Sequence, residues 1–165
     1  MIIDIKRLFD VDGEAVPLTD SLDLSDVEQW GVHPFVSPIK IHGEIKNTAG
    51  IVTINYEAEV ISDIPCDRCL TNIHKERSMK FTHTLVRELF NKDLEDEYIL
   101  VEDGMLDLTE LVTSDILLEM PTKNLCKEDC KGLCPKCGAN LNTTKCNCVT
   151  KEVDPRLASL LELLN

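Results

Sequence analysis

The most regular alternation of hydrophobic and polar residues runs from Ile39 to Lys46 and again from Val52 to Val60. A period of two is typical of β-strands that bury one face and expose the other. The residues Asn-Thr-Ala-Gly at 47–50 separate the two runs and predict a tight turn. We therefore expect two antiparallel neighbouring strands at this point of the chain.

Three other segments show a weaker alternation. Met1–Leu8 predicts a first strand, Met79–Leu85 a later one, and Tyr98–Val101 a short one. Residues 10–37 are acidic and interrupted by glycines and prolines. We predict a loop there, with a short helix over 24–30.

Two helices are indicated in the second half of the chain. Asp107 precedes Glu110 by three residues, which is the spacing of a capping box, so a helix should follow and end before Pro121. Asp154-Pro155 is a second start signal, because an acidic cap and a proline at the first helical position both favour helix initiation. Strands followed by helices indicate an α+β fold.

The chain has 165 residues, which suits one domain with a small appendage. We divide it into a β-rich acidic domain (1–121), a cysteine-rich segment (122–150) and a C-terminal helix (151–165). No apolar run approaches the roughly 20 residues of a membrane span. The first residues lack the pattern of a secretory signal. We therefore expect a cytoplasmic protein without a membrane partner.

The overall charge is strongly acidic, with 17 Lys and Arg against 30 Asp and Glu and a net charge of −13. Proteins that hold nucleic acid by neutralising phosphates need a basic surface, so the chain as a whole does not suit that role. Residues 122–156 differ, because they contain seven basic and four acidic side chains. An anionic partner would therefore meet this segment first.

Eight cysteines carry most of the chemical information. In a reducing compartment, closely spaced cysteines are more typical of metal sites than of disulfides. Eight is twice the four thiolates of a closed tetrahedral zinc site, so we predict two zinc ions per chain. The predicted ligands are Cys66, Cys69, Cys126, Cys130, Cys134, Cys137, Cys146 and Cys148.

Two C-x2-C pairs have the spacing of zinc knuckles, one between two predicted strands and one followed by Gly138. We assign the first site to Cys66, Cys69, Cys126 and Cys130, and the second to Cys134, Cys137, Cys146 and Cys148. An alternative grouping joins Cys126, Cys130, Cys134 and Cys137, and leaves Cys66 and Cys69 with Cys146 and Cys148. The predicted fold is thus an antiparallel β-sheet with a zinc-knuckle hairpin, one or two helices and a zinc-ribbon-like C-terminal segment.

Other chemistry has weaker support. Cys134-Pro-Lys-Cys137 resembles a redox dithiol, but such motifs open a helix, whereas residues 138–142 predict a turn. His74 follows Cys69 by five residues and is an alternative zinc ligand. A site with four thiolates has no open position for water activation. The chain also lacks a phosphate loop or a serine elbow, so we expect neither an enzyme nor a small-molecule substrate.

Four blocks of sequence follow one another in a specific order, namely Cys66–Leu70, Leu133–Asn142, Cys146–Cys148 and Asp154–Ala158. In this order they resemble the YceD-like large ribosomal RNA subunit accumulation proteins, a bacterial family. The resemblance implies a non-enzymatic role in the synthesis, processing or accumulation of 23S ribosomal RNA. The implied partners are ribosomal proteins or rRNA-processing factors, or large-subunit rRNA directly. A zinc-dependent adaptor of another complex and a thiol redox protein are the alternatives.

Overall fold

The computed structural model describes residues 1–89 and 97–148. The chain forms two compact units: unit 1 contains Met1–Ile64 and His74–Thr122, and unit 2 contains Pro65–Ile73 and Lys123–Asn165. The predicted C-terminal helix at 151–165 lies outside the described residues. The division of the chain after residue 121 stays a prediction.

The described residues form seven strands and two helices. Strands β2 to β6 lie in sequence order in one five-stranded sheet, and β1 pairs with β7 in a separate two-stranded ladder. The architecture is α+β, as the sequence predicts. The elements are β1 (Ile2–Asp4), α1 (Lys6–Asp10), β2 (Ala15–Leu22), β3 (Ile39–Thr48), β4 (Ile51–Pro65), β5 (Asn72–Val86), β6 (Tyr98–Leu100), β7 (Met105–Asp107) and α2 (Leu108–Glu119).

The β3–β4 hairpin forms the centre of unit 1, and it confirms the strand prediction. The two strands are antiparallel, with Ile45 opposite Ile54 and Ile41 opposite Ala58. These side chains are fully buried, while the alternate positions of β3 face solvent. Burial of one face explains the period of two in the sequence. The predicted turn is also present, with Gly50 at φ 85°.

Strand β5 is longer than predicted and lies next to β4. Cross-strand hydrogen bonds join Ser78 to Glu57 and Thr82 to Asn55, so the paired residues advance in opposite directions and the strands are antiparallel. On its other edge, β5 pairs in parallel with β6, where Leu85 lies opposite Ile99.

Three predictions for the first 37 residues are wrong, and two of them concern strands. The predicted strand Met1–Leu8 ends at Asp4, and helix α1 follows, because Ile5 and Leu8 are buried three residues apart, a helical spacing. The predicted loop at 10–37 contains strand β2, at the edge of the sheet. An edge strand tolerates Pro17, whose missing N–H would break the ladder in a central strand.

The predicted helix at 24–30 is also absent. A turn forms instead, in which the Val27 N–H donates to the Leu24 carbonyl at 3.0 Å, and an isolated bridge joins Gln29 to Val32. Between the two bridged residues, Gly31 has a φ of 77°, which lies outside the right-handed helical region.

Helix α2 confirms the predicted capping signal. The Asp107 side chain accepts hydrogen bonds from the backbone N–H groups of Thr109 at 3.0 Å and Glu110 at 3.3 Å. The helix ends at Glu119, before Pro121. Its inner face is buried through Leu108, Val112 and Ile116. Neither helix in the described part of the chain has the length and hydropathy needed to cross a membrane.

Candidate metal centres

The first knuckle is a tight loop between β4 and β5, within unit 2. The Cys66 N–H donates to the Thr71 carbonyl and the Leu70 N–H donates to the Cys66 carbonyl, both at 2.9 Å. Leu70 has a φ of 58°, so the chain turns back on itself between the two cysteines and β5. This closed loop places the side chains of Cys66 and Cys69 on the same side.

A pair of hydrogen bonds holds the start of the cysteine-rich segment against this loop. The Asp67 N–H donates to the Asn124 carbonyl at 2.8 Å. In return, the Asn124 N–H donates to the Asp67 carboxylate at 2.7 Å. Cys126 lies two residues after Asn124, so this pairing brings it beside Cys66 and Cys69, which are 60 and 57 residues away in sequence.

The first cysteine group contains Cys66, Cys69, Cys126 and Cys130, with all four sulfurs within 4.8 Å of one another. The Sγ atoms of Cys66 and Cys130 are 3.8 Å apart, and those of Cys69 and Cys126 are 3.6 Å apart. Tetrahedral zinc with Zn–S bonds of about 2.3 Å requires sulfur–sulfur distances of about 3.8 Å. The donor set and spacing therefore fit a zinc ion. Three of these cysteines are buried, and Cys126 is exposed.

Backbone N–H groups favour the thiolate form in this group. Burial raises the pKa of Cys66, but hydrogen bonds from the backbone of Cys126, Arg68 and Cys69 outweigh it and lower the pKa to about 6. Desolvation and the neighbouring sulfurs instead raise the pKa of Cys126 to about 12. A metal ion must displace the proton from such a thiol, so binding should weaken as the pH falls.

The second group contains Cys134, Cys137, Cys146 and Cys148, and its sulfurs also lie within 4.8 Å of one another. The knuckle is closed by Gly138, whose N–H donates to the Cys134 carbonyl at 2.8 Å and whose φ is 72°. A β-carbon disfavours this φ, which accounts for the glycine. Backbone hydrogen bonds from Cys137 and Lys136 lower the pKa of Cys134 to about 6. The contact between Cys148 and Cys137 is the largest cause that raises the pKa of Cys148 to about 12, and desolvation is the second.

The two groups differ in exposure. In the second group Cys134 is buried, Cys137 is exposed, and Cys146 and Cys148 are half-buried. In both groups every tetrahedral position would be filled by a protein sulfur. A metal ion held in this way organises the chain around it and has no free position for a reacting molecule.

All eight predicted ligands therefore lie in two groups of four, and the grouping is the one the sequence favours, not the alternative. His74 is in neither group, because its Nδ1 lies 2.6 Å from the Asp63 carboxylate. The sequence predicts a turn over residues 138–142, and the structure has a turn at residues 141–143, which overlaps it in part. The ligand roles and the identity of the metal stay predictions.

Two asparagines near the first group were not predicted as functional residues. Asn142 donates a hydrogen bond from Nδ2 to the Cys130 sulfur at 3.2 Å, and Asn140 contacts Thr71 at 3.4 Å. Both residues belong to one of the four blocks that carry the family resemblance. Their spacing in the chain gives no sign of a contact with a distant cysteine.

A second polar cluster lies in unit 1 and was also missed. The buried Tyr56 hydroxyl donates to the Asp115 carboxylate, and His83 Nε2 lies 2.7 Å from the same carboxylate oxygen. Desolvation, and then the hydrogen bond to Asp115, raises the pKa of Tyr56. These hydrogen bonds connect α2 with strands β4 and β5. They also explain why His83 lies on the apolar face of β5.

The fold and its two cysteine groups define an α+β protein with two candidate four-thiolate metal centres. The chain matches the model of the family described as "Large ribosomal RNA subunit accumulation protein YceD" over residues 54–164. This stretch contains all eight cysteines. The chain belongs to the YceD family, as its sequence blocks predict.

Several proteins are similar to this chain. YlbN of Bacillus subtilis is 30% identical over 96% of this chain and 90% of its own length. Rv2926c of Mycobacterium tuberculosis is 27% identical over 99% of this chain and 81% of its own length. The Arabidopsis thaliana chloroplastic protein "Large ribosomal RNA subunit accumulation protein YCED homolog 1" is 41% identical over 30% of this chain and 15% of its own length. No solved structure matches the chain significantly.

Proposed function

We propose that this protein is a non-enzymatic ribosome biogenesis factor that takes part in the synthesis, processing or accumulation of 23S ribosomal RNA. The observation that carries this proposal is the family match over residues 54–164, because that family is described by the accumulation of large ribosomal subunit RNA. The names of the plant relatives point to the same process.

In this proposal each cysteine group holds one zinc ion. Four thiolates at the observed spacing suit zinc, which prefers tetrahedral sulfur ligands in structural sites. Such ions would stabilise unit 2, whose described residues form short loops and turns around the cysteines. The absence of an open coordination position supports a binding role over catalysis.

The charge distribution suggests how the protein contacts its partners. Unit 1 contains 24 acidic and 9 basic side chains, a charge of −15. Ribosomal proteins and other RNA-binding factors are basic, so opposite fields would steer their association with unit 1. Two zinc ions with eight thiolates would add four negative charges to unit 2 and cancel its excess of lysine and arginine. Protein partners therefore fit better than non-specific RNA binding.

The direct test is depletion of the protein, followed by separation of ribosomal subunits on sucrose gradients. We expect large subunits and 23S rRNA to fall relative to small subunits and 16S rRNA. Expression of the intact protein should restore the ratio, and a variant with Cys66→Ser and Cys137→Ser should restore it poorly. Unchanged subunit ratios after complete depletion would refute the ribosomal role and leave the metal sites untouched.

Affinity capture at low and high salt tests the mode of binding. We expect large-subunit precursors or basic ribosomal proteins at low salt, and their loss as salt screens the charges. Capture of a polymerase or nuclease complex without ribosomal components would instead favour the adaptor alternative. Turnover in a disulfide-reduction assay would favour a thiol redox protein.

A further inference from the structure

The side chain of Asn142 is positioned to support the first cysteine group. Its Oδ1 accepts a hydrogen bond from the Lys131 backbone N–H at 2.9 Å. Because an N–H group can only donate, the atom facing Lys131 must be the oxygen, and this fixes the orientation of the amide. The Nδ2 group then faces the buried Cys130 sulfur at 3.2 Å and donates to it.

Asn140 extends this arrangement to a second sulfur of the same group. Its Oδ1 accepts from the Nδ2 and from the backbone N–H of Asn142, both at 3.0 Å. Its own Nδ2 donates to the Thr71 hydroxyl at 3.4 Å, and that hydroxyl lies 3.3 Å from the Cys69 sulfur. When Cys69 is a thiolate, the Thr71 hydroxyl must be the donor to it. Asn142 and Thr71 then donate to the sulfurs of Cys130 and Cys69, which both belong to the first group.

These two asparagines belong to the loop between Cys137 and Cys146, which are both in the second group. The loop is held to the second knuckle, because the Cys134 N–H donates to the Ala139 carbonyl at 2.9 Å. The Leu141 N–H also donates to the Gly132 carbonyl at 2.9 Å, next to the first group. The same short loop is thus a covalent part of the second group and a source of hydrogen bonds for the first.

A metal ion bound by both Cys137 and Cys146 would close this loop at its two ends. Closing a loop removes conformational freedom, so the asparagines would be fixed near their observed positions before the first group binds metal. Donors to a metal-bound sulfur stabilise its negative charge, and losing one such partner typically weakens metal binding by about 10–100-fold.

We propose that the Asn140–Asn142 loop couples the two metal sites, so that a metal ion in the second group tightens metal binding by the first. Asn142 is the principal positioning residue, because it contacts the Cys130 sulfur directly. Linkage requires the reverse effect as well, so an ion in the first group tightens the second equally. This inference rests on the metal-binding part of the proposed function and is independent of the ribosomal part.

The test is a competition titration of the reduced, metal-free full-length protein with Co²⁺, which reports thiolate binding by its charge-transfer absorption. Asn142→Asp keeps the shape of the side chain and the acceptor for Lys131, but it replaces the donor to Cys130 with an oxygen. We expect the first site to bind Co²⁺ about 10–100-fold more weakly. Its charge-transfer band should move to longer wavelength, because the sulfur loses a hydrogen bond.

Asn72→Asp is the matched control, since it makes the same chemical change at an exposed asparagine that follows Thr71 and lies outside the second group. It should leave the affinity and spectrum of the first site unchanged. Equal effects of the two substitutions would show that added charge is responsible, and would overturn the proposal.

A double-mutant cycle tests the coupling itself. In a background with Cys137→Ser and Cys148→Ser, the first site should bind Co²⁺ more weakly than in the intact protein. Adding Asn142→Asp to this background should weaken Co²⁺ binding by little more. A four-thiolate spectrum in this background shows that the first group still assembles. An additive effect of Asn142→Asp, or unchanged first-site affinity in the background, overturns the coupling. If the intact protein binds no metal, both the coupling and the metal-binding part of the proposed function are refuted.

Discussion

Gly43, in the middle of β3, allows a close approach between the two central strands of unit 1. A β-carbon at this position would lie 2.1 Å from the Asn55 carbonyl oxygen and 2.6 Å from the Tyr56 Cα. Both partners are backbone atoms of β4, so relief requires the strands to separate. Ordinary contacts begin near 3.4 Å, so Gly43→Ala demands a shift of roughly 1 Å, and such overpacking costs about 1–3 kcal/mol or more. We expect a loss of stability of about 3 kcal/mol, at the upper end of this range, because both close partners are backbone atoms.

Urea unfolding followed by far-ultraviolet circular dichroism measures this loss. Gly13→Ala is a suitable control, because Gly13 has a φ of 78° and no atom within 4 Å of the added β-carbon. Its cost should come from backbone strain alone, about 1–2 kcal/mol. A Gly43→Ala variant as stable as the Gly13→Ala variant would show that the strands are not packed as closely as described.

Three further predictions concern the polar groups and the cysteines. Tyr56→Phe leaves the buried Asp115 with one donor fewer, and should lower the unfolding free energy by about 1–3 kcal/mol in urea titration; an unchanged midpoint would contradict the network. Hydrogen bonds from the Glu110 backbone lower the pKa of Asp107 below 3.8. Stabilisation of α2 by the charged carboxylate should therefore be complete above pH 3.8 and fade as the pH falls through the lower pKa of the folded state. Acid unfolding of Asp107→Asn should lack this contribution. During slow chelation, alkylation mapped by mass spectrometry should label Cys137 and Cys148 before the buried cysteines of the first group; the opposite order would contradict the observed exposures.

The sequence predicts the centre of the sheet and the second helix well. Strands β3 and β4 each bury one face, and Asp107 caps α2 through its own side chain, so both signals are local. The sequence does not predict strand β2, because Pro17 and the nearby acidic residues are typical of loops. Pro17 fits a strand here only because β2 lies at the edge of the sheet, and that position depends on tertiary structure. Only Leu8 is buried within α1, and a single buried position cannot show a helical period.

Spacing indicates that each knuckle needs a second pair of cysteines, but it leaves two groupings open, and the tertiary structure places Cys126 and Cys130 beside Cys66 and Cys69. The hydrogen bonds around the groups do not follow from spacing. Asn142 meets Cys130 only because the loop after the second knuckle folds back, and Tyr56 meets Asp115 across 59 residues. Such contacts depend on tertiary structure that a single sequence does not encode in a local pattern.

In the function proposed above, two groups of four thiolates each hold one metal ion. Native mass spectrometry of the freshly purified, reduced protein measures the number and mass of bound ions on each molecule. We predict two zinc ions per chain, and one after Cys130→Ser or Cys148→Ser. A protein that retains its fold and carries no metal, even after incubation with zinc, would show that the two cysteine groups are not metal sites.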